Sequence, residues 1–222
     1  IIRSFFISLK HKPLIIMRKR LVVPFLWAFF VSSLSATDFQ PIKTNYLLTF
    51  DISNQLFVFG SGKLWVDSTK INFDGSTSYY PSKDILQLDY YCFSPYGSVL
   101  GKEIRMGADS IVFINYLDEE IVIKPTYTPD VYWQAFKRTD SIVVMAKVDA
   151  ALSTTDSKTI KFQVYDKTMN PISANLNNCS VELTRTEGIS KTINFYAFPF
   201  DEFHMPAEEL IVNVDTTFSL SN

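Results

Sequence analysis

The side chains able to do chemistry are few, and their spacing limits what that chemistry is. Histidine is the usual general base near neutral pH, and only His11 and His204 are present. His204 sits in Asp201-Glu202-Phe203-His204-Met205-Pro206-Ala207-Glu208-Glu209. One imidazole among carboxylates is the donor set of a mixed metal site, yet no second histidine stands at ligand spacing. The same run also describes a solvated acidic loop before a last strand. Adjacent acids occur at Asp118-Glu119-Glu120, Asp201-Glu202 and Glu208-Glu209. Glycoside hydrolysis needs two carboxyls facing each other across a bond, and neighbours on a strand point to opposite faces. Asp118-Glu119-Glu120 therefore reads as a hairpin turn, and Asp201 with Glu208 serve a polysaccharide-active enzyme only where distant acids converge. The inventory is that of a non-enzyme.

No cofactor is expected, and calcium is the one cation the composition leaves open. Asp149, Asp156 and the hydroxyls of Ser153 to Ser157 make an oxygen-rich loop of the kind hard cations take, without a calcium-loop motif. Gly60-Ser61-Gly62 reads as a turn between strands, and no helix follows it to cradle a phosphate. Cys92 and Cys179 either bridge, closing a long loop worth about 4–5 kcal/mol on a chain-entropy model, or stay as two thiols. Asn178-Cys179-Ser180 matches an N-glycosylation acceptor, relevant to a eukaryotic host.

Aromatic residues are the informative excess, at 15% of the chain. Phe50, Phe113, Phe162 and Phe195 fall on apolar strand faces and read as core. Four other rings fall on polar faces: Trp65 with Lys63 and Asp67, Tyr91 with Gln87 and Asp89, Tyr132 with Gln134, and Tyr165 with Lys161 and Gln163. A ring on a polar face offers a flat apolar surface to the C–H face of a sugar, beside groups that bind hydroxyls. Cross-strand pairing accounts for the same rings structurally.

These residues have to be positioned by elements that the wider sequence implies. The chain has 222 residues, 47% of them apolar, and a formal net charge of −2, which suits one large domain or two small ones. From Met17 the sequence runs through Arg18-Lys19-Arg20, an apolar Leu21–Val31 and the small-residue exit Ser32-Ser33-Leu34-Ser35-Ala36. Those are the three parts of a secretory signal peptide over 17–36, with 1–16 upstream sequence or an extended leader. Cleavage is expected after Ala36, or after Ser35. The uncharged run Leu21–Leu34 is 14 residues, short of the roughly 20 that cross a bilayer. No membrane span is expected once the leader is gone, and the destination is periplasmic or extracellular.

Six of the 21 basic residues and none of the 23 acidic ones lie in 1–36. The remainder holds 15 basic residues (21 less those six) against 23 acidic, a net of −8. Such a chain is repelled by phosphate backbones, which excludes a nucleic-acid partner and leaves a protein or polysaccharide at the cell surface.

Beyond the leader the pattern alternates with period two from end to end. Apolar runs at Tyr46–Ile52, Leu56–Phe59, Leu64–Val66, Ile71–Phe73, Ile85–Phe93, Ile111–Leu117 and Ile121–Lys124 form a first group. Val131–Phe136, Ile142–Val148, Ile160–Asp166, Cys179–Thr186, Thr192–Phe198 and Leu210–Val214 form a second. The two prolines of Lys124-Pro125-Thr126-Tyr127-Thr128-Pro129-Asp130 mark a linker at 125–130. An all-β fold follows, with two tandem immunoglobulin-like sandwiches at 37–124 and 131–222, or one larger sandwich in their place. One helical turn is expected, at Pro206–Glu209.

Thr159-Ile-Lys-Phe-Gln-Val-Tyr-Asp166, then Asn170-Pro171-Ile172, then Val181-Glu182-Leu183 resembles the bacterial Ig-like repeats of surface proteins. There a strand ends in Val-x-Asp, a turn carries Asn-Pro, and another strand follows. The resemblance covers about 30 residues of strand, turn and strand. It departs from the pattern at Met169, where glycine usually stands. It implies an exported, modular, non-catalytic sandwich; the sequence as a whole reads as a binding or structural (adhesion-type) module, with a carbohydrate-binding module as the alternative.

Overall fold

The computed structural model describes residues 35–53, 58–82, 98–138, 142–196, 198–199 and 210–215. The strands are β1 (Leu47–Ser53), β2 (Val58–Leu64), β3 (Val66–Ile71), β4 (Thr77–Pro81), β5 (Glu103–Met106), β6 (Ile111–Ile114) and β7 (Glu120–Ile123). They continue with β8 (Trp133–Lys137), β9 (Ile142–Val148), β10 (Ser157–Asp166), β11 (Ser180–Thr184), β12 (Gly188–Thr192) and β13 (Leu210–Asp215). Short 3₁₀ helices at Ala36–Phe39 and Asn175–Asn178 are the only helical elements among the described residues. The protein is all-β, and its strands make two antiparallel sheets. One is ordered β2-β1-β13-β12-β11-β10-β9-β8, the other β3-β4-β5-β6-β7.

The registers explain why the alternating sequence settles this way. In β10, Ile160, Phe162 and Val164 are buried while Lys161, Gln163 and Tyr165 are half-buried. Ile160 faces Val148, Phe162 faces Ala146 and Val164 faces Val144, so one apolar row meets another, and slipping by one residue would turn both rows outward. The smaller sheet repeats the device. Ile111 pairs with Ile123 and with Met106, and Phe113 with Ile121 and with Ile104. These rows share one core with Leu48, Phe50, Val181, Leu183 and Ile189 of the larger sheet.

An aromatic cluster ties the sheets together. The rings of Phe113 and Phe195 stack at 3.8 Å, and Phe198 meets Phe136 edge-on at 5.4 Å and Phe162 at 6.1 Å. Residues 193–196 are therefore not the strand expected across Thr192–Phe198. β12 ends at Thr192, and the chain then crosses the core, with Phe195 N–H donating to the Val99 carbonyl (2.7 Å) and Tyr116 N–H to that of Tyr196 (2.9 Å).

At one side of the molecule β2 passes into β3 through Trp65, whose N–H donates to Ser82 Oγ (2.9 Å) while its carbonyl accepts from Ser82 N–H (2.7 Å). At the other side the indole of Trp133 on β8 donates to the Val122 carbonyl of β7 (2.8 Å), satisfying an acceptor on the edge of the smaller sheet.

Two expectations change here. The boundary at 125–130 does not separate two sandwiches, because β1 pairs with β13, Leu47 opposite Asp215 and Phe50 opposite Val212. Strands from both sides of the supposed linker build one sheet and one core, the single larger assembly. Gly60-Ser61-Gly62 is not a turn. It lies inside β2, with Gly62 opposite Phe50 and Gly60 opposite Ile52; glycine lowers strand propensity without forbidding a ladder position. Ile85–Phe93 and Pro206–Glu209 lie outside the described residues.

The first described residues are built into the fold. Ala36, Phe39 and Ile42 are fully buried in the core, and Ile189 N–H donates to the Pro41 carbonyl (3.0 Å). Gly188 makes that approach feasible: its φ is 88°, and a Cβ there would sit 2.7 Å from the Pro41 oxygen.

Candidate functional site

The outer face of β8, β9 and β10 gathers two of the four expected stacking rings, Tyr132 and Tyr165. Gln134 of β8 lies opposite Met145 of β9, and Met145 opposite Gln163 of β10. One step along, Lys137 faces Val143 and Val143 faces Tyr165. One step the other way, Lys147 faces Lys161, and the ring of Tyr132 lies beside Lys147, with Nζ 5.7 Å from its centroid. Since Trp133 and Phe136 point inward and are buried, their neighbours Tyr132, Gln134 and Lys137 point out, each of them exposed. The result is a three-by-three surface: tyrosines at two opposite corners, lysines at the other two corners and one edge, two amides flanking a methionine, and a buried Val143 at the ninth position. Ladder spacing places Tyr132 and Tyr165 about 16 Å apart, four residues along and two strands across.

The β7–β8 connection fixes one corner. Tyr127 N–H donates to the Lys124 carbonyl (3.1 Å), Val131 N–H to that of Thr128 (3.2 Å) and Asp130 N–H to that of Val148 (2.8 Å). Lys124 Nζ lies 5.2 Å from the Tyr127 ring centroid, and that ring meets Trp133 edge-on at 5.5 Å. Tyr127, Val131 and Tyr132 remain exposed. Lys147 donates to Asp130 (2.9 Å), and this bond holds its ammonium pKa above the usual lysine value. The segment expected to be a linker is instead a built part of the surface.

The other expected residues lie elsewhere. Trp65 is half-buried at the passage from one sheet to the other, away from the β8–β10 face, and Tyr91 is outside the described residues. Asp149 and Asp156 flank the β9–β10 loop. Asp149 pairs with Lys161 (3.0 Å) and accepts from the N–H groups of Ala151 and Leu152 (3.0 and 3.1 Å). The Lys161 bond leads in holding its carboxyl below the ordinary range. Asp156 pairs with Arg185 (3.4 Å). Among the described residues no three His, Cys, Asp or Glu side chains come together as a metal-binding group. Cys179 is buried, its Sγ 3.5 Å from the Asn175 carbonyl, and Cys92, Asp201, His204 and Glu208 lie outside the described residues. No helix among those described is long and apolar enough to cross a membrane.

Asp118-Glu119-Glu120 does occupy the β6–β7 hairpin, and each acid has its own base: Lys102 for Asp118 (2.8 Å), Arg138 for Glu119 (2.7 Å) and Arg105 for Glu120 (2.9 Å). Asn115, fully buried, organises this turn. Its Oδ1 accepts from Leu117 and Glu119 N–H, and its Nδ2 donates to Glu119 and to the Phe198 carbonyl. The Arg138 bond, then that of Asn115, lower the Glu119 pKa against the opposing effect of burial. These acids build a turn and do not converge on a cleft.

Lys137, Met145 and Lys147 were missed from sequence. The alternation of Ile142–Val148 carries the signal for Met145 and Lys147, but what they face depends on the β8–β9–β10 register, and a bulge between Gln134 and Phe136 obscures Lys137. No family model, no curated protein and no solved structure matches the chain.

Proposed function

We propose that the chain is an exported, non-catalytic β-sandwich of the Ig-like surface-protein kind, acting at the cell surface or outside the cell by binding a polysaccharide along the β8–β10 face. The observation that carries this reading is the combination of exposed Tyr132 and Gln134 with half-buried Gln163 and Tyr165 on one sheet surface. Rings at opposite corners stack on separate residues of an extended ligand, while amides between them bind hydroxyls. Lys147 and Lys161, each already paired with an aspartate, make the face polar without a strong net field.

The test is capture of the exported protein on insoluble cell-wall and glycan matrices, with free glycan as competitor. Retention that free glycan releases, and that Tyr132→Ala and Tyr165→Ala each weaken about tenfold (~1.4 kcal/mol, within the range for one aromatic contact), is the expected result. Retention indifferent to both substitutions would remove the reading.

A protein partner is the second reading, favoured by the β3–β4 hairpin. Phe73 and Ile71 stand 114% and 79% exposed at its tip. Asp74 fastens the tip by accepting from Ser76 N–H and Oγ (2.9 and 2.6 Å), and Asn72 Nδ2 donates to Ser76 and Ser78. Phe73→Asp leaves glycan capture unchanged if the β8–β10 face is the site, whereas under the second reading glycan capture is absent and Phe73→Asp abolishes retention of the protein partner.

A further inference from the structure

The last residues of the expected leader are working parts of the fold. Ser35 caps the Ala36–Phe39 turn, its Oγ accepting from Thr37 N–H (3.4 Å) and its own N–H donating to Asp38 Oδ2 (2.9 Å). This is a capping box, in which side chain and backbone satisfy each other's donors. Ser35 Oγ also donates to the Ala108 carbonyl (2.8 Å), and Ala36 N–H donates to the same oxygen (2.9 Å). The Ala36 methyl is 0% exposed, packed in the same core as Phe39 and Ile42. A cut after Ala36 deletes the cap, both bonds to Ala108 and a buried methyl. A cut after Ser35 deletes the cap and one of those bonds.

We infer that the leader is removed at the Ser33–Leu34 bond, so that the mature chain begins at Leu34; the inference rests on the export reading above. The residue types allow it. Ser33 supplies the small residue at the cut and Val31 the position two before it, whereas a cut after Ala36 puts the bulkier Leu34 in that second place. The enzyme implied is a leader peptidase selective for small residues. It breaks the Ser33–Leu34 C–N bond with water, hydroxyl going to the Ser33 carbonyl carbon and the proton to the Leu34 nitrogen. Every hydrogen bond of Ser35 and Ala36 survives the reaction.

The full chain, produced in an exporting host, is tested by N-terminal sequencing and intact mass of the exported product. Leu34 as first residue is expected. Ala36 or Thr37 as first residue overturns the assigned cut while leaving export standing, and an uncleaved chain retained in the cytoplasm overturns both. As a second measurement, leaderless chains beginning at Leu34 and at Thr37 are compared by thermal unfolding. The Leu34 chain is expected to melt several degrees higher, and coincident transitions would overturn the physical basis of the assignment.

Discussion

Asp166 closes β10 by gathering donors from the next four residues. Its Oδ1 accepts from Thr168 N–H and Oγ1 and from Asn170 N–H, and its Oδ2 from Asn170 Nδ2. The backbone bond from Asn170 and the Thr168 hydroxyl hold the carboxyl down to about 2. An unfolded aspartate titrates near 3.9, so this group's contribution to stability is fully present above that value and is lost as pH falls through about 2. Thermal unfolding of Asp166→Asn against the parent chain should show a difference at pH 6 that closes as pH falls from 4 toward 2; a pH-independent difference would assign the effect to geometry instead of charge. Met169, in the same turn, has φ 65°, in the left-handed region that favours glycine. An L-residue there costs about 1–2 kcal/mol, and glycine returns about 0.5–1 kcal/mol through the entropy of the unfolded chain. Since Met169 is half exposed and gives up little packing, Met169→Gly should stabilise by about 0.5–1 kcal/mol in urea titration.

At the scale of elements, the β6–β7 hairpin depends on one buried amide and one glycine. Asn115→Ala strands the N–H groups of Leu117 and Glu119 and removes a donor from the Phe198 carbonyl, and a loss of about 2–4 kcal/mol is expected, since buried groups left unpaired cost about 1–3 kcal/mol each. Unchanged chemical-denaturation midpoints would contradict this account of the turn. Gly101 has φ 92°, and a Cβ there would collide with the Ile114 carbonyl, so Gly101→Ala should cost more than about 1 kcal/mol. How legible such elements are depends on where their determinants lie. Asp118-Glu119-Glu120 reads as a hairpin because flanking alternation and turn composition are local. β10 is equally plain, since its apolar residues recur at period two. Gly60-Ser61-Gly62 misleads because glycine has the same local signature in a turn and in a ladder, and only the facing β1 residues decide between them. Residues 193–196 mislead because their apolar alternation serves a crossing segment that buries Phe195 against Phe113.

For the whole molecule, the all-β class is written in the alternation, while the number of sandwiches is not. The pairing of β1 with β13 joins residues 47–50 to 212–215, and nothing in either segment names the other. Two prolines at 125 and 129 look like a boundary because proline punctuates both linkers and tight connections. One shared core has a consequence for dissection: a fragment of residues 131–222 lacks β1 beside β13 and the whole smaller sheet, so it should give no cooperative unfolding transition. A two-state melt of that fragment would restore the tandem arrangement. The candidate site was legible only in part, since Tyr132 and Tyr165 stand out as rings on polar faces, but their shared surface emerges from three registers at once. That surface also carries the functional account, so the measurement that tests it most directly is equilibrium binding of cell-wall polysaccharide fragments to the exported protein, with and without Tyr132→Ala. Saturable binding that the substitution weakens about tenfold, with the thermal midpoint unchanged, is the expected result. Binding of equal strength in both proteins, or none in either, would contradict the assignment of the β8–β10 face.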